Sequence, residues 1–403
     1  LDEPVSVKAV SQKGADGRYY YLVDAPAKGM EVLAGGVKET EERPSVLSQI
    51  RTDETGRPTG FRTPFYQVEF AGNGEFDRIV DLEEERSLLQ NGRRGNQIRV
   101  FEDRPLEFDA WNIEEYYREK SWSFDDVQAF EILENGPVRG CVYLKRQFME
   151  STLEQYIYFY AHTKRIDFKT ILDWRQHQLL VKAEFPVDIL ANEATYEIQF
   201  GNVKRPTHKN TTWDQARFEV CAHKWADLSE AGYGVALLND CRYGYDIHDS
   251  VMGLTLLKSG IFPNPDADQG VHEFTYSLYP HQGDFRTGSV IREAYDLNCP
   301  LYGMTEQTGQ KKTYSFLTIG EENVLAETVK QAEDGQGIIV RLYEAWGKRT
   351  RVHAAFDEPW KIEECDLAEK AGRILAENEK TAVFEIKPYE IKTLRLSRSK
   401  KGE

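Results

Sequence analysis

Strict alternation of apolar and polar residues is the feature that most narrows the fold of this chain. In residues 165–175, Ile166, Phe168, Thr170, Leu172 and Trp174 fall on one face. Arg165, Asp167, Lys169, Ile171, Asp173 and Arg175 fall on the other. A period of two puts successive side chains on opposite faces of a strand, here one dry and one mostly wet. Leu179, Val181, Ala183 and Phe185 repeat the pattern a few residues later and read as an antiparallel partner. Residues 65–70 and 76–80 flank Ala71-Gly72-Asn73-Gly74, where Asn-Gly is expected to supply the positive φ angles of a hairpin turn. Similar runs occur at 156–160, 234–238, 338–343, 383–386 and 391–396. Short strands with short turns predict an all-β fold of antiparallel sandwiches rather than a wound parallel sheet. The 7 Trp, 21 Tyr and 20 Phe agree, because aromatic side chains suit a half-buried pleated surface.

Helical signals are few. Residues 109–122 have room for a turn or two, and residues 366–378 combine helix-compatible apolar spacing with a charged composition that suits a surface loop equally well. A stretch rich in Gly, Pro and polar residues, 298–313, reads as a linker. It divides a large β domain, 61–297, from a smaller terminal sandwich, 314–403. Residues 1–60, with an acidic run at 39–42, read as a small β segment and loop.

Charge narrows the partners. Lys plus Arg number 51 against 67 Asp plus Glu, a net −16. Such a surplus argues against nucleic acid or an anionic membrane, whose phosphates need Lys and Arg. No apolar run approaches the roughly 20 residues that span a bilayer. The five cysteines, Cys141, Cys221, Cys241, Cys299 and Cys365, are scattered and form no C-x-x-C pair. Reduced thiols and a cytoplasmic location are the expectation. The chain begins Leu1-Asp2-Glu3-Pro4, without an initiator Met, so a longer parent protein is expected.

P-loop, dinucleotide-binding, zincin and nucleophile-elbow motifs are absent. Polar and aromatic residues are densest between Asn239 and Arg286. Asp240, Arg242, Tyr243, Tyr245, Asp246 and His248 follow an apolar strand, and a loop at a strand end is a good place for substrate contacts. Asn264, Asp266 and Asp268 alternate as oxygen ligands do, but the EF-hand positions for Gly and Glu hold Gln269 and Thr275, which rejects that site. Asp266, Asp268, His272 and His281 match no ligand spacing, so no metal site is assigned.

Three stretches carry a resemblance: FEDRPLEFDAWNIEEYY (101–117), VALLNDCRYGYDIHDSVMGLTLLKSGIFPNPDADQGVHEFTYSLYPHQGDF (235–285) and the closing strands to Leu396. Together they resemble the C-terminal half of the family 38 glycoside hydrolases, the α-mannosidases, nearest the cytosolic and bacterial branch. The resemblance implies a galactose-mutarotase-like β-supersandwich plus smaller β-sandwiches. It also implies an upstream barrel that holds zinc, the nucleophile and the acid/base, followed by a helical bundle, so that this chain carries no catalytic residue, cofactor or metal of its own. The mechanism implied for the parent is retaining and metal-assisted, on a mannose-containing oligosaccharide. By motif position the cleft-rim candidates are Trp111, Asn112, Asp240, Arg242, Tyr243, Tyr245, Asp246, His248 and His281. Asn112 stands where Asp is common in the family and Arg242 where Lys is common. Two other readings stay open: a free-standing carbohydrate-binding β protein, and a purely structural module that supports the barrel or a homo-oligomer.

Overall fold

The computed structural model describes residues 9–32, 43–304 and 313–398. The acidic stretch 39–42 and half of the expected linker, residues 305–312, lie outside the described residues.

Two large antiparallel sheets face each other. One has nine strands in the order 126–135, 139–148, 151–160, 166–174, 270–282, 233–239, 225–229, 193–198 and 201–206. The other has six, in the order 121–123, 97–102, 179–186, 251–259, 244–248 and 220–221. Ile166, Phe168, Leu172 and Trp174 of the first sheet share one buried core with Ile98, Val100, Val181, Ala183, Phe185 and Leu254 of the second. A five-stranded sheet over 48–87 closes the same core with Phe61, Val68, Phe76 and Ile79; its first hairpin pairs Ser48–Thr52 with Pro58–Arg62, a strand that runs across residue 60. A further six-stranded sheet between Leu317 and Ser397 forms a separate sandwich around Val340, Leu342, Val352, Ile362 and Leu394.

The all-β expectation holds, and the differences are local. Leu179–Pro186 is a strand but does not pair with Ile166–Trp174. It crosses to the opposite sheet, between Gln97–Glu102 and Val251–Ser259, while Ile166–Trp174 lies between Ser151–Tyr160 and Gly270–Gln282. Both strands point their apolar faces at the same core, so alternation alone could not separate partners within a sheet from partners across it. In the hairpin after Phe70, Gly74 takes a positive φ of 77° but Asn73 does not, and a β-bulge between Glu69 and Phe70 adjusts the register. A Cβ on Gly74 would also collide with the Leu144 side chain. Residues 371–386 are neither helix nor loop but a long strand paired with Thr350–Cys365. Much of that pair projects into solvent on both faces, which explains a composition too charged to look like a strand.

One helix, Val290–Asn298, was not expected, and it runs across residues 297 and 298. Its Val290, Ile291 and Ala294 pack between Trp225, Leu238 and Tyr279 of the nine-stranded sheet, Phe285 in the turn that follows it, and Tyr343 of the terminal sandwich. The helix also changes the supposedly wet face of Ile166–Trp174. Asp167 is buried there, accepting from Arg165 Nε (2.7 Å), Tyr160 OH (2.7 Å) and Ser277 Oγ (2.6 Å), while Arg165 pairs with Glu293 of the helix.

Candidate functional site

Register gathers several loops at one end of the supersandwich. Leu179 stands opposite both Ser259 and Glu102, so residues after 102 and after 259 emerge together. Gly244 stands opposite Thr255, which brings the 240–243 turn to the same end, and Asp240 is tied to Thr275 in the strand Gly270–Gln282, its backbone N–H donating to Thr275 O and its carboxylate accepting from Thr275 N–H.

The 240–243 turn is set by Asn239, which is fully buried. Its Nδ2 donates to His223 O (2.7 Å) and Tyr245 OH (2.5 Å), and its Oδ1 accepts from Arg242 N (2.6 Å). Asp240 Oδ2 accepts from Thr275 N at 3.0 Å, and its buried Oδ1 has no partner among the described residues. The Arg242 guanidinium lies 4.3 Å over the Phe274 ring, an arrangement that holds the cation in place without a carboxylate. Tyr243 is exposed, with its ring edge-on to His223. Of the candidates in this region, Asp240, Arg242 and Tyr243 come together with a free edge.

Trp111 and Asn112 emerge beside them. Both backbone N–H groups donate to Phe108 O, at 2.7 and 2.9 Å. The Asp109 carboxylate accepts from the N–H groups of Ile261 and Phe262 and so ties the two loops together. This fixes an apolar surface in the open: Leu106 is 85% exposed, Trp111 70%, Phe262 66% and Phe108 60%. Phe108 and Trp111 meet edge to face at 6.4 Å.

Four candidates are placed elsewhere. Tyr245 is a core residue whose OH reaches Leu237 O (3.2 Å). His281 is buried, with Nε2 2.7 Å from Asp227 Oδ1. Because Gly234 pairs with His281 and Asn239 with Tyr276, His281 stands five residues along the strand from the 240–243 turn, roughly 17 Å. It therefore does not join the rim. The same strand separates His272 from His281 by nine residues, roughly 30 Å, so these two cannot share a metal.

Asp246 and His248 lie on the outer face of the six-stranded sheet, beneath a cap made by residues 113–119 and the 218–219 segment. The cap's 3-10 helix, Glu115–Glu119, falls where a helical turn was expected. Asp246 pairs there with Lys182 and with Arg118, Arg118 reaches Glu184 (3.2 Å), Lys182 also pairs with Glu219, and Tyr117 OH donates to Glu219 (2.6 Å). Burial would raise the Asp246 carboxyl, but the Lys182 ammonium and the Arg118 guanidinium outweigh it and hold it below the usual range. Glu219 is shifted the other way, raised by burial and by the neighbouring Asp246 charge. Lys182 stays charged, its value raised by the two carboxylates against its own burial. Burial lowers His248, whose ring lies against the backbone of Thr207 and Phe218 without a hydrogen bond of good geometry. The sequence reading passed over Lys182, Glu184, Glu219 and Arg118. Lys182 and Glu184 alternate with Val181, Ala183 and Phe185, the ordinary signature of a wet face, and the cap that dries that face comes from residues distant in sequence.

Among the described residues no cluster of three or more His, Cys, Asp or Glu side chains is placed to hold a metal, so the residues here do not fit a zinc site. No helix among them is long and apolar enough to cross a membrane.

Residues 61–266 match the glycosyl hydrolases family 38 C-terminal domain, and residues 323–394 match the glycosyl hydrolases family 38 C-terminal beta sandwich domain. The chain belongs to glycosyl hydrolase family 38. Among curated relatives, it is 37% identical over 347 residues to "Alpha-mannosidase G" of Dictyostelium discoideum, covering 82% of this chain and 32% of that protein. It is 36% identical over 343 residues to human "Alpha-mannosidase 2C1", covering 82% and 33%. The chain thus spans about a third of the length of these relatives. The solved α-mannosidase of Enterococcus faecalis V583 shares the fold, with a TM-score of 0.74 at 14% identity, over 94% of this chain and 46% of that one.

Proposed function

We propose that this chain is the C-terminal β portion of an α-mannosidase, and that its loop end faces an upstream catalytic domain and borders the substrate cleft. The observation that carries this is the fixed apolar surface of Leu106, Phe108, Trp111, Ile261 and Phe262, beside the exposed 240–243 turn. Monomeric proteins rarely hold so much apolar side chain in water unless something covers it. Membership in family 38 supplies the chemistry: cleavage of α-mannosidic bonds in a mannose-containing oligosaccharide, retaining and metal-assisted, with nucleophile, acid/base and zinc all upstream. In this reading Trp111, Asn112, Asp240, Arg242 and Tyr243 border the cleft. Asp246 fixes the cap that continues from the Trp111 loop, and Tyr245 and His281 only support the sheet. The division into a small leading β segment, a supersandwich and a terminal sandwich belongs to the same reading. So does a cytoplasmic location, supported by cysteines that form no disulfide.

Hydrolysis of an aryl α-mannoside with zinc supplied tests it. The whole protein is expected to turn the substrate over and this chain alone to be inert; turnover by the chain alone would refute the placement of catalysis upstream. The carbohydrate-binding alternative needs oligomannose affinity that Trp111→Ala or Tyr243→Ala removes from the isolated chain.

A further inference from the structure

The terminal sandwich carries a groove of about 1170 Å³ that the reading above leaves unused. It runs across the end of the sheet at the edge strand Val324–Gln331, and it is walled by the hairpin 335–338 and by the closing strand near Arg395 and Arg398.

Four cations line it, and each is already neutralised. Lys361 pairs with Glu363 at 2.9 Å, Arg395 with Asp334 at 2.6 Å, Lys330 with Glu369 at 2.7 Å and Arg398 with Glu358 at 2.5 Å. The wall is therefore dense in hydrogen-bond donors and acceptors but offers little net charge to an ion. Gln331, Gln336 and Ser397 add uncharged polar groups. Apolar contact comes from Val329, which is exposed, and Ile338.

Trp360 lines the groove while the residue is only 6% exposed, its ring capped by the Arg398 guanidinium at 4.5 Å. Its indole Nε1–H is buried and has no acceptor among the described residues. A buried donor without a partner is costly, and a ligand oxygen that displaces its cover would relieve it. A ligand with many hydroxyls, apolar C–H faces and no charge satisfies all these features. The volume exceeds the roughly 300–1,000 Å³ of ordinary small-molecule sites, which favours more than one ring.

We propose that this groove binds a neutral oligosaccharide, separately from the loop end that borders the cleft. The choice of a mannose-containing probe rests on the preceding reading; the groove itself does not. The experiment is titration of this chain with a mannotriose, followed by calorimetry and by the indole ¹H–¹⁵N resonance of Trp360, identified by its loss in Trp360→Phe. The expected result is a Kd of about 1 mM or tighter, a shifted Trp360 resonance, and affinity reduced at least about fivefold by Lys361→Met, whose side chain is on the surface. Trp111→Ala should leave that affinity unchanged. No binding of mannotriose, binding lost with Trp111→Ala but kept with Lys361→Met, or equal displacement by inorganic sulfate would each overturn the proposal. None of these outcomes bears on whether the whole protein hydrolyses an α-mannoside, so the two readings fail separately.

Discussion

Residues 104–119 build two neighbouring surfaces with opposite burial. Their first half holds Leu106, Phe108 and Trp111 in water, while their second half lowers Tyr117 and Arg118 onto a dry cluster of Lys182, Glu184, Glu219 and Asp246. Folding of a lone domain favours the reverse, apolar groups in and charges out. A buried ion cluster is weak evidence for stability, since desolvation cancels much of the attraction. What it does supply is a fixed position: the Arg118 fork grips Asp246 and Glu184 on two strands, and that grip aims the exposed half of the segment. The two regions read as one device, an anchor and the surface it presents.

Breaking the anchor should have the largest effect. Lys182→Met leaves Asp246 and Glu219 buried with one cation between them, and a loss of about 3–5 kcal/mol is expected in denaturant unfolding, as for any buried pair stripped of one partner. Asp246→Asn should cost more than Glu219→Gln. The lowered value of Asp246 means that its charge stabilises the fold above the unfolded carboxyl range, near 3.9, and that this is lost as pH falls through the folded value. The raised value of Glu219 means that its contribution is present below about 4.3 and lost as pH rises through the folded value, so at neutral pH its charge opposes folding.

The presented surface should respond in the opposite way. Phe108→Ser with Trp111→Ser is expected to change the unfolding free energy of this chain by no more than about 0.5 kcal/mol per site. The same pair should weaken association with the proposed upstream catalytic domain by about 2 kcal/mol or more, the size of an aromatic hot spot.

The smallest effect belongs to His248, at the far end of the same sheet face. Its folded value lies below the usual 6.5, so its contribution is complete above about pH 6.5 and is lost as pH falls through the folded value. Asp246, which faces it, works against the shift, and Lys209 adds to it. His248→Gln should therefore flatten the acid limb of the stability profile by about 1 kcal/mol or less.

Alternation made the strands and the apolar core legible from sequence, down to Ile166, Phe168, Leu172 and Trp174. It could not say which sheet Leu179–Pro186 joins, because both sheets face one core. Nor could it show that Lys182 and Asp167 are buried, since the cap and the helix Val290–Asn298 that cover them come from distant segments. The exposed half of the candidate site, Trp111 and Asp240 to Tyr243, was readable because loops at strand ends carry their own signature. Tyr245 and His281 sat in the same polar stretch, but strand register turned one inward and set the other roughly 17 Å away.

The most direct test separates the chain from its proposed catalytic partner. The upstream part of the protein, expressed on its own, is titrated with this chain and with its Phe108→Ser/Trp111→Ser variant, and aryl α-mannoside hydrolysis is followed at each point. Saturable association with gain of hydrolysis for the native chain, and at least about a thirtyfold weaker association for the variant, is the predicted result. Equal association of the two chains would contradict it.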